Sequence, residues 1–136
     1  MNKERLAALA TFLLTVPEHK FDLSSWRIGD EGSESGPLVT DAKLRSTACG
    51  TTGCAIGWAC AMPKFKAQGL LWDYSQPIFE DASVGGHYSG WVAVEAFFDL
   101  TNAQAHRLYD DRSYSPTERT TPKEVSARIT ELISQD

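Results

Sequence analysis

Several things are missing from this chain of 136 residues. No run of about 18 or more apolar residues occurs, so no segment reads as a membrane span. The start, Met1-Asn2-Lys3-Glu4-Arg5 followed by Leu6 to Leu14, resembles a leader peptide only superficially. Val16-Pro17-Glu18-His19 stands where a small-residue cleavage pattern would follow. Cysteine is sparse and odd in number, with Cys49, Cys54 and Cys60 alone. A disulfide-stapled secreted domain usually carries an even set, and a chain of this length does not need staples, so reduced thiols and a cytoplasmic setting are expected. Positive charge is in deficit: 13 Lys and Arg face 18 Asp and Glu. Phosphate affinity rests on a basic surplus, so a free-standing nucleic-acid binder is disfavoured. Gly50-Thr51-Thr52-Gly53 lacks the glycine spacing and following lysine of a Walker loop, and reads as a tight turn into a helix. There is no internal repeat or low-complexity tract, and no motif that calls for a cofactor or a metal.

What is present suits one domain over residues 1–136. Apolar residues make up 42% of the chain, with four Trp and six Phe among them, enough for one core. Leu6, Leu9, Ala10, Leu13 and Leu14 recur with helical period, which predicts a helix from about Lys3 to Thr15, capped by Asn2 and ended by Pro17. Residues 29–37, rich in Gly, Ser and Glu, read as a mobile acidic loop. From Ala48 to Pro63 there is no charge, which predicts a buried central helix over Thr52–Met62. Gly53 and Gly57, four apart, would let a neighbouring element come close. Residues 64–90 read either as a short hairpin or as loops. Residues 92–110 read as two helices, the second capped by Thr101 with Gln104 three positions on. Thr121-Pro122-Lys123-Glu124 opens a last helix with Val125, Ile129, Leu132 and Ile133 on one stripe. The expected fold is therefore mostly α, with four to five helices around a buried central helix and little or no sheet.

The segment Cys49-Gly50-Thr51-Thr52-Gly53-Cys54-Ala55-Ile56-Gly57-Trp58 resembles a loose family of small uncharacterised proteins from phages and bacteria, whose core reads Cys-Gly-Thr-x-x-Cys-x-x-Gly-Trp. The similarity continues in Phe98–Tyr109 and Thr121–Ile133. It implies a phage or mobile-element setting and a small protein that binds and modulates a host factor. It implies no catalytic residue.

Each chemical candidate has a plainer counterpart. Cys54, after Gly53 at a predicted helix start, has the place of an activated thiol, with His87 as a base and Asn102 or Asp99 to orient it. That reading makes the chain a small Cys-dependent hydrolase or transferase. The counterpart makes the cysteines small buried apolar groups. Cys49, Cys54, Cys60 and His87 lack the close pairing of a structural zinc site. The 92–110 hairpin could offer Asn102, Gln104, His106 and Arg107 to bases as a nucleic-acid or transcription accessory factor. Glu31 and Glu34, Glu80 and Asp81, and Asp110 and Asp111 form acidic pairs that could meet a protein partner. The leading expectation is a non-enzymatic interaction protein that uses an acidic and aromatic surface. Its oligomeric state is not legible.

Overall fold

The computed structural model describes residues 1–29, 39–46 and 49–135. The acidic loop expected at 29–37, with Glu31 and Glu34, therefore lies almost wholly outside the described residues. Helix α1 (Lys3–Leu13) begins where Asn2 accepts a hydrogen bond from the Arg5 amide, and it buries Leu6, Leu9, Ala10 and Leu13. A single 3-10 turn at Glu18–Lys20 and the short strand β1 (Arg27–Ile28) follow. Helix α2 (Asp41–Arg45) is capped by Thr40. Strand β2 (Thr52–Gly53) pairs antiparallel with β1 and leads into α3 (Ala55–Ala59), all five residues of which are buried. Pro63 opens α4 (Pro63–Ala67), where its missing amide costs nothing.

Strands β3 (Leu70–Asp73), β4 (Gln76–Asp81) and β5 (Gly86–Ser89) form an antiparallel meander, with Leu70 opposite Phe79 and Phe79 opposite Tyr88. Helices α5 (Gly90–Phe98) and α6 (Asn102–Tyr109) form the expected hairpin. Thr101 and Gln104 make the reciprocal capping box. After a 3-10 turn at Asp111–Ser113, α7 (Pro122–Ser134) starts on the Thr121–Glu124 capping box. It packs along α1, where the buried Ser126 hydroxyl donates to the Ala10 carbonyl at 2.7 Å. A hydrophobic cluster joins these elements, and its rings meet edge to face: Phe65 on Phe97 at 4.9 Å between centroids and Phe79 on Phe97 at 5.2 Å.

The mostly α expectation is corrected. Among the described residues there are seven α-helices and two antiparallel sheets, of two and three strands, so the fold is mixed α and β. The central helix is also shorter than Thr52–Met62. Thr52 and Gly53 give their backbone to β1, 24 or more positions earlier in the chain, and Cys60 already caps α3. Strand pairs of two residues leave no periodicity to read, because their hydrogen-bond partners are remote in sequence. The stretch at 64–90, left open between hairpin and loops, is a helix and a three-stranded meander. Phe79 packs the meander onto α5 through Phe97.

Candidate functional site

The Cys-Gly-Thr segment is held from within. Lys20 is only 1% exposed. Its ammonium donates to the Lys43 carbonyl at 3.3 Å and to the Cys49 carbonyl at 3.2 Å, and stands 3.8 Å from Cys49 Sγ. The Trp58 indole N–H donates to the Lys20 carbonyl at 3.0 Å. Cys54 Sγ accepts the Gly57 amide at 3.4 Å as the cap of α3, while the Cys54 amide donates to the Trp26 carbonyl. A five-residue helix leaves most of its carbonyls without partners inside the helix. Arg27, with no exposed surface, supplies one: its Nε and one terminal nitrogen donate to the Gly57 carbonyl at 3.1 and 2.8 Å. The guanidinium also reaches the Val39 carbonyl and Asp41 Oδ1, at 2.9 and 2.7 Å, and lies 4.4 Å from the Trp72 ring centroid.

Cys54 is not arranged as a nucleophile. It is 2% exposed. Burial pushes its pKa up to about 11, against the lowering effect of the Gly57 and Ile56 amides. Near pH 7 it is then a neutral thiol. Burial raises Cys60 as well. A helix start was expected to acidify Cys54; desolvation outweighs it in this short, enclosed helix. His87 sits exposed on β5 opposite Glu80 and is not among the residues that surround Cys54 in the cleft described next. Asn102 donates to Glu95, and Asp99 takes the Met1 ammonium at 2.6 Å. Near neutral pH, iodoacetamide should label at most one thiol per native chain, the half-buried Cys49, and all three after denaturation. Intact mass counts the labels, and rapid native labelling of Cys54 would contradict its buried, protonated state.

A hollow of about 670 Å³ opens where distant parts of the chain meet: the 23–26 turn, Cys54, the β3–β4 turn at Ser75 and Gln76, the start of α5, and the end of α6. Trp26 and Trp91 line it, with ring centroids 5.0 Å apart and planes tilted by 53°. Behind Trp91 the His106 ring stacks at 4.0 Å, and His106 Nδ1 lies 3.0 Å from Asp110 Oδ2. Arg112 Nε and a terminal nitrogen grip the two Asp110 oxygens at 3.1 and 2.8 Å. These hydrogen bonds, from Arg112 first and also His106, hold the Asp110 carboxyl far below the usual carboxylate range, so it is anionic. Cys54 and Tyr109 complete the lining, and the Tyr109 hydroxyl is buried with no hydrogen-bond partner among the described residues. A second hollow of about 500 Å³ continues past Leu23, Ser24, Asp111 and Arg112 toward Glu118 and Arg119.

Of the acidic residues singled out from sequence, Asp110 and Asp111 meet in this cleft. Glu80 and Asp81 lie away from it on β4, where Asp81 accepts hydrogen bonds from the Ser83 amide and hydroxyl in its own turn. Trp26, Trp91, Tyr109 and Arg112 carry no motif of their own in the sequence. Nothing local marks them, because the cleft exists only after β1, the meander and the α5–α6 hairpin have packed. In that hairpin, Asn102, Gln104 and His106 are engaged with Glu95, Thr101 and Asp110. Among the described residues no three His, Cys, Asp or Glu side chains cluster to hold a metal, and no helix is long and apolar enough to cross a membrane. No family model matches the chain, and neither the curated proteins nor the solved structures include a match.

Proposed function

We propose that this protein is a non-enzymatic interaction protein of the cytoplasm, which binds and modulates a protein partner through the acidic and aromatic cleft. The observation that carries the reading is the convergence of Trp26, Trp91, Asp110 and Asp111 on one hollow whose single thiol, Cys54, is buried and protonated. Aromatic residues are enriched at interface centres, where they give large contact area with few rotatable bonds. Carboxylates beside them set partner choice and encounter rate. The phage or bacterial setting that the Cys49–Trp58 segment implies would suit a modulator of a host protein. The net charge of −5 argues against a nucleic-acid ligand.

The test is affinity capture from a host lysate with the native chain, a Trp91→Ala variant, an Asp111→Lys variant and a Cys54→Ala variant. Specific capture by the native and Cys54→Ala chains, lost in both cleft variants, is the expected result. A partner retained equally by the cleft variants, or a turnover abolished by Cys54→Ala, would overturn the proposal.

A further inference from the structure

We infer that the occupant of this cleft is an extended basic segment of the partner protein, which lays a lysine or arginine side chain against Trp26 and Trp91. The inference rests on the binding reading above and deepens it. Charge is the first argument. The two joined hollows are lined by four carboxylates, Asp22, Asp110, Asp111 and Glu118, against two guanidiniums, Arg112 and Arg119. Arg112 pairs with Asp110, while Arg119 donates to the neutral Phe21 carbonyl and keeps its charge, which leaves Asp22, Asp111 and Glu118 against Arg119. Among the described residues no cationic side chain hydrogen-bonds to Asp111 or Glu118. The excess is negative and faces the opening.

Shape is the second argument. The two hollows share Leu23, Ser24, Asp111 and Arg112 as a common wall. Side by side, the two hollows run from Trp26 and Trp91 to Glu118 and Arg119, so an occupant of both would be a stretch of chain and not a single side chain. The third argument is unsatisfied polarity at the aromatic end. Tyr109 is 2% exposed, yet among the described residues its hydroxyl has no hydrogen-bond partner. Buried polar atoms without partners are rare and call for an explanation. Burial keeps this phenol neutral, so it can donate to a carbonyl of an incoming segment and accept from an ammonium or guanidinium N–H. Close by, α5 begins at Gly90 and Trp91 without a side-chain cap, so its first amides suit backbone carbonyls of an extended segment. A cation against tryptophan faces gains further from the ring quadrupole.

The test uses the full chain and short capped peptides of glycine and serine that carry two arginines, two glutamines or two glutamates. Binding is read from tryptophan emission and from backbone amide shifts. The arginine peptide should saturably perturb Ser25, Gly90, Trp91 and Asp111, more weakly at high salt, and the glutamine and glutamate peptides should not. Trp91→Ala should weaken the arginine peptide about tenfold, and the exposed Asp111→Lys, which touches no core contact, at least threefold. Equal or tighter binding of the glutamate peptide, perturbation confined to residues outside the groove, or no perturbation by any peptide would overturn the inference. If the lysate partner still depends on Trp91 and Asp111 in that event, only the basic character of the segment is lost. If that dependence is absent too, the binding reading falls with it.

Discussion

Gly57→Ala should destabilise the fold by about 3 kcal/mol or more, a large share of the 5–15 kcal/mol usual for a domain. A Cβ at position 57 would overlap the Trp26 carbonyl oxygen and stand 3.0 Å from Arg27 Cγ. Neither neighbour has room to retreat. The Trp26 carbonyl receives the Cys54 amide, and the Arg27 side chain is fixed by the Gly57 carbonyl itself. The clash is with backbone, so a rotamer change cannot relieve it. Gly53→Ala is the control. Its Cβ would meet Leu44 Cδ1, the end of a flexible side chain, at 3.0 Å, and a cost of about 1 kcal/mol is expected. Urea denaturation of the three proteins decides the matter. Equal midpoints for the two variants would show that the close approach of the 26–27 backbone to α3 has no special weight.

Arg27→Leu should cost about 3–5 kcal/mol, the range for removing one partner of a buried ionic network. The leucine leaves the Gly57 and Val39 carbonyls without their donor, and Asp41 with Lys66 alone. Arg27→Lys should recover less than half of the loss. A lysine keeps the charge but cannot reach two carbonyls and a carboxylate with a planar fork, nor lie flat on Trp72. Thermal or urea unfolding of both variants measures this, and full rescue by lysine would show that charge alone matters at the site. The same network carries a pH dependence. Burial pushes Asp41 upward, but hydrogen bonds from Lys66 and Arg27 outweigh it and leave its pKa below the ordinary value. A carboxyl depressed in the folded state stabilises above its unfolded pKa of about 3.9, and that contribution fades as pH falls through the folded value. The stability gap between the native chain and Asp41→Asn should therefore be widest near neutrality and close on acidification below about pH 4. A gap that widens toward acid would mean that Asp41 is not held as an anion.

Local chemistry made much of the helical frame readable. Asn2, Thr101–Gln104 and Thr121–Pro122–Glu124 cap α1, α6 and α7 as their side chains suggest, since a cap acts within three residues of itself. The uncharged stretch correctly marked a buried centre, which in the structure runs from Gly53 to Met62, and the pair Gly53 and Gly57 marked close approach. The acidic pair Asp110–Asp111 was readable as a candidate surface. Its neighbours were not, because Trp26 and Trp91 are 65 positions apart and neither forecasts the other. Cys54 was readable in one of its two roles: the uncharged stretch around it marked a small buried side chain, and its enclosure agrees, while its place before α3 alone would have suggested an acidified thiol.

The chain's own order of residues thus determined where helices start, which faces turn inward and which thiols lie in an uncharged stretch, since each depends on groups within about one helical turn. Packing alone decided the rest. It turned Thr52–Gly53 into strand rather than helix, built the 70–89 meander, raised the Cys54 thiol, and drew two tryptophans, a buried tyrosine and two aspartates around one cleft. Hydrogen bonds between strands and the loss of water around a buried group both depend on neighbours that are remote along the chain, and only the folded molecule brings those neighbours together.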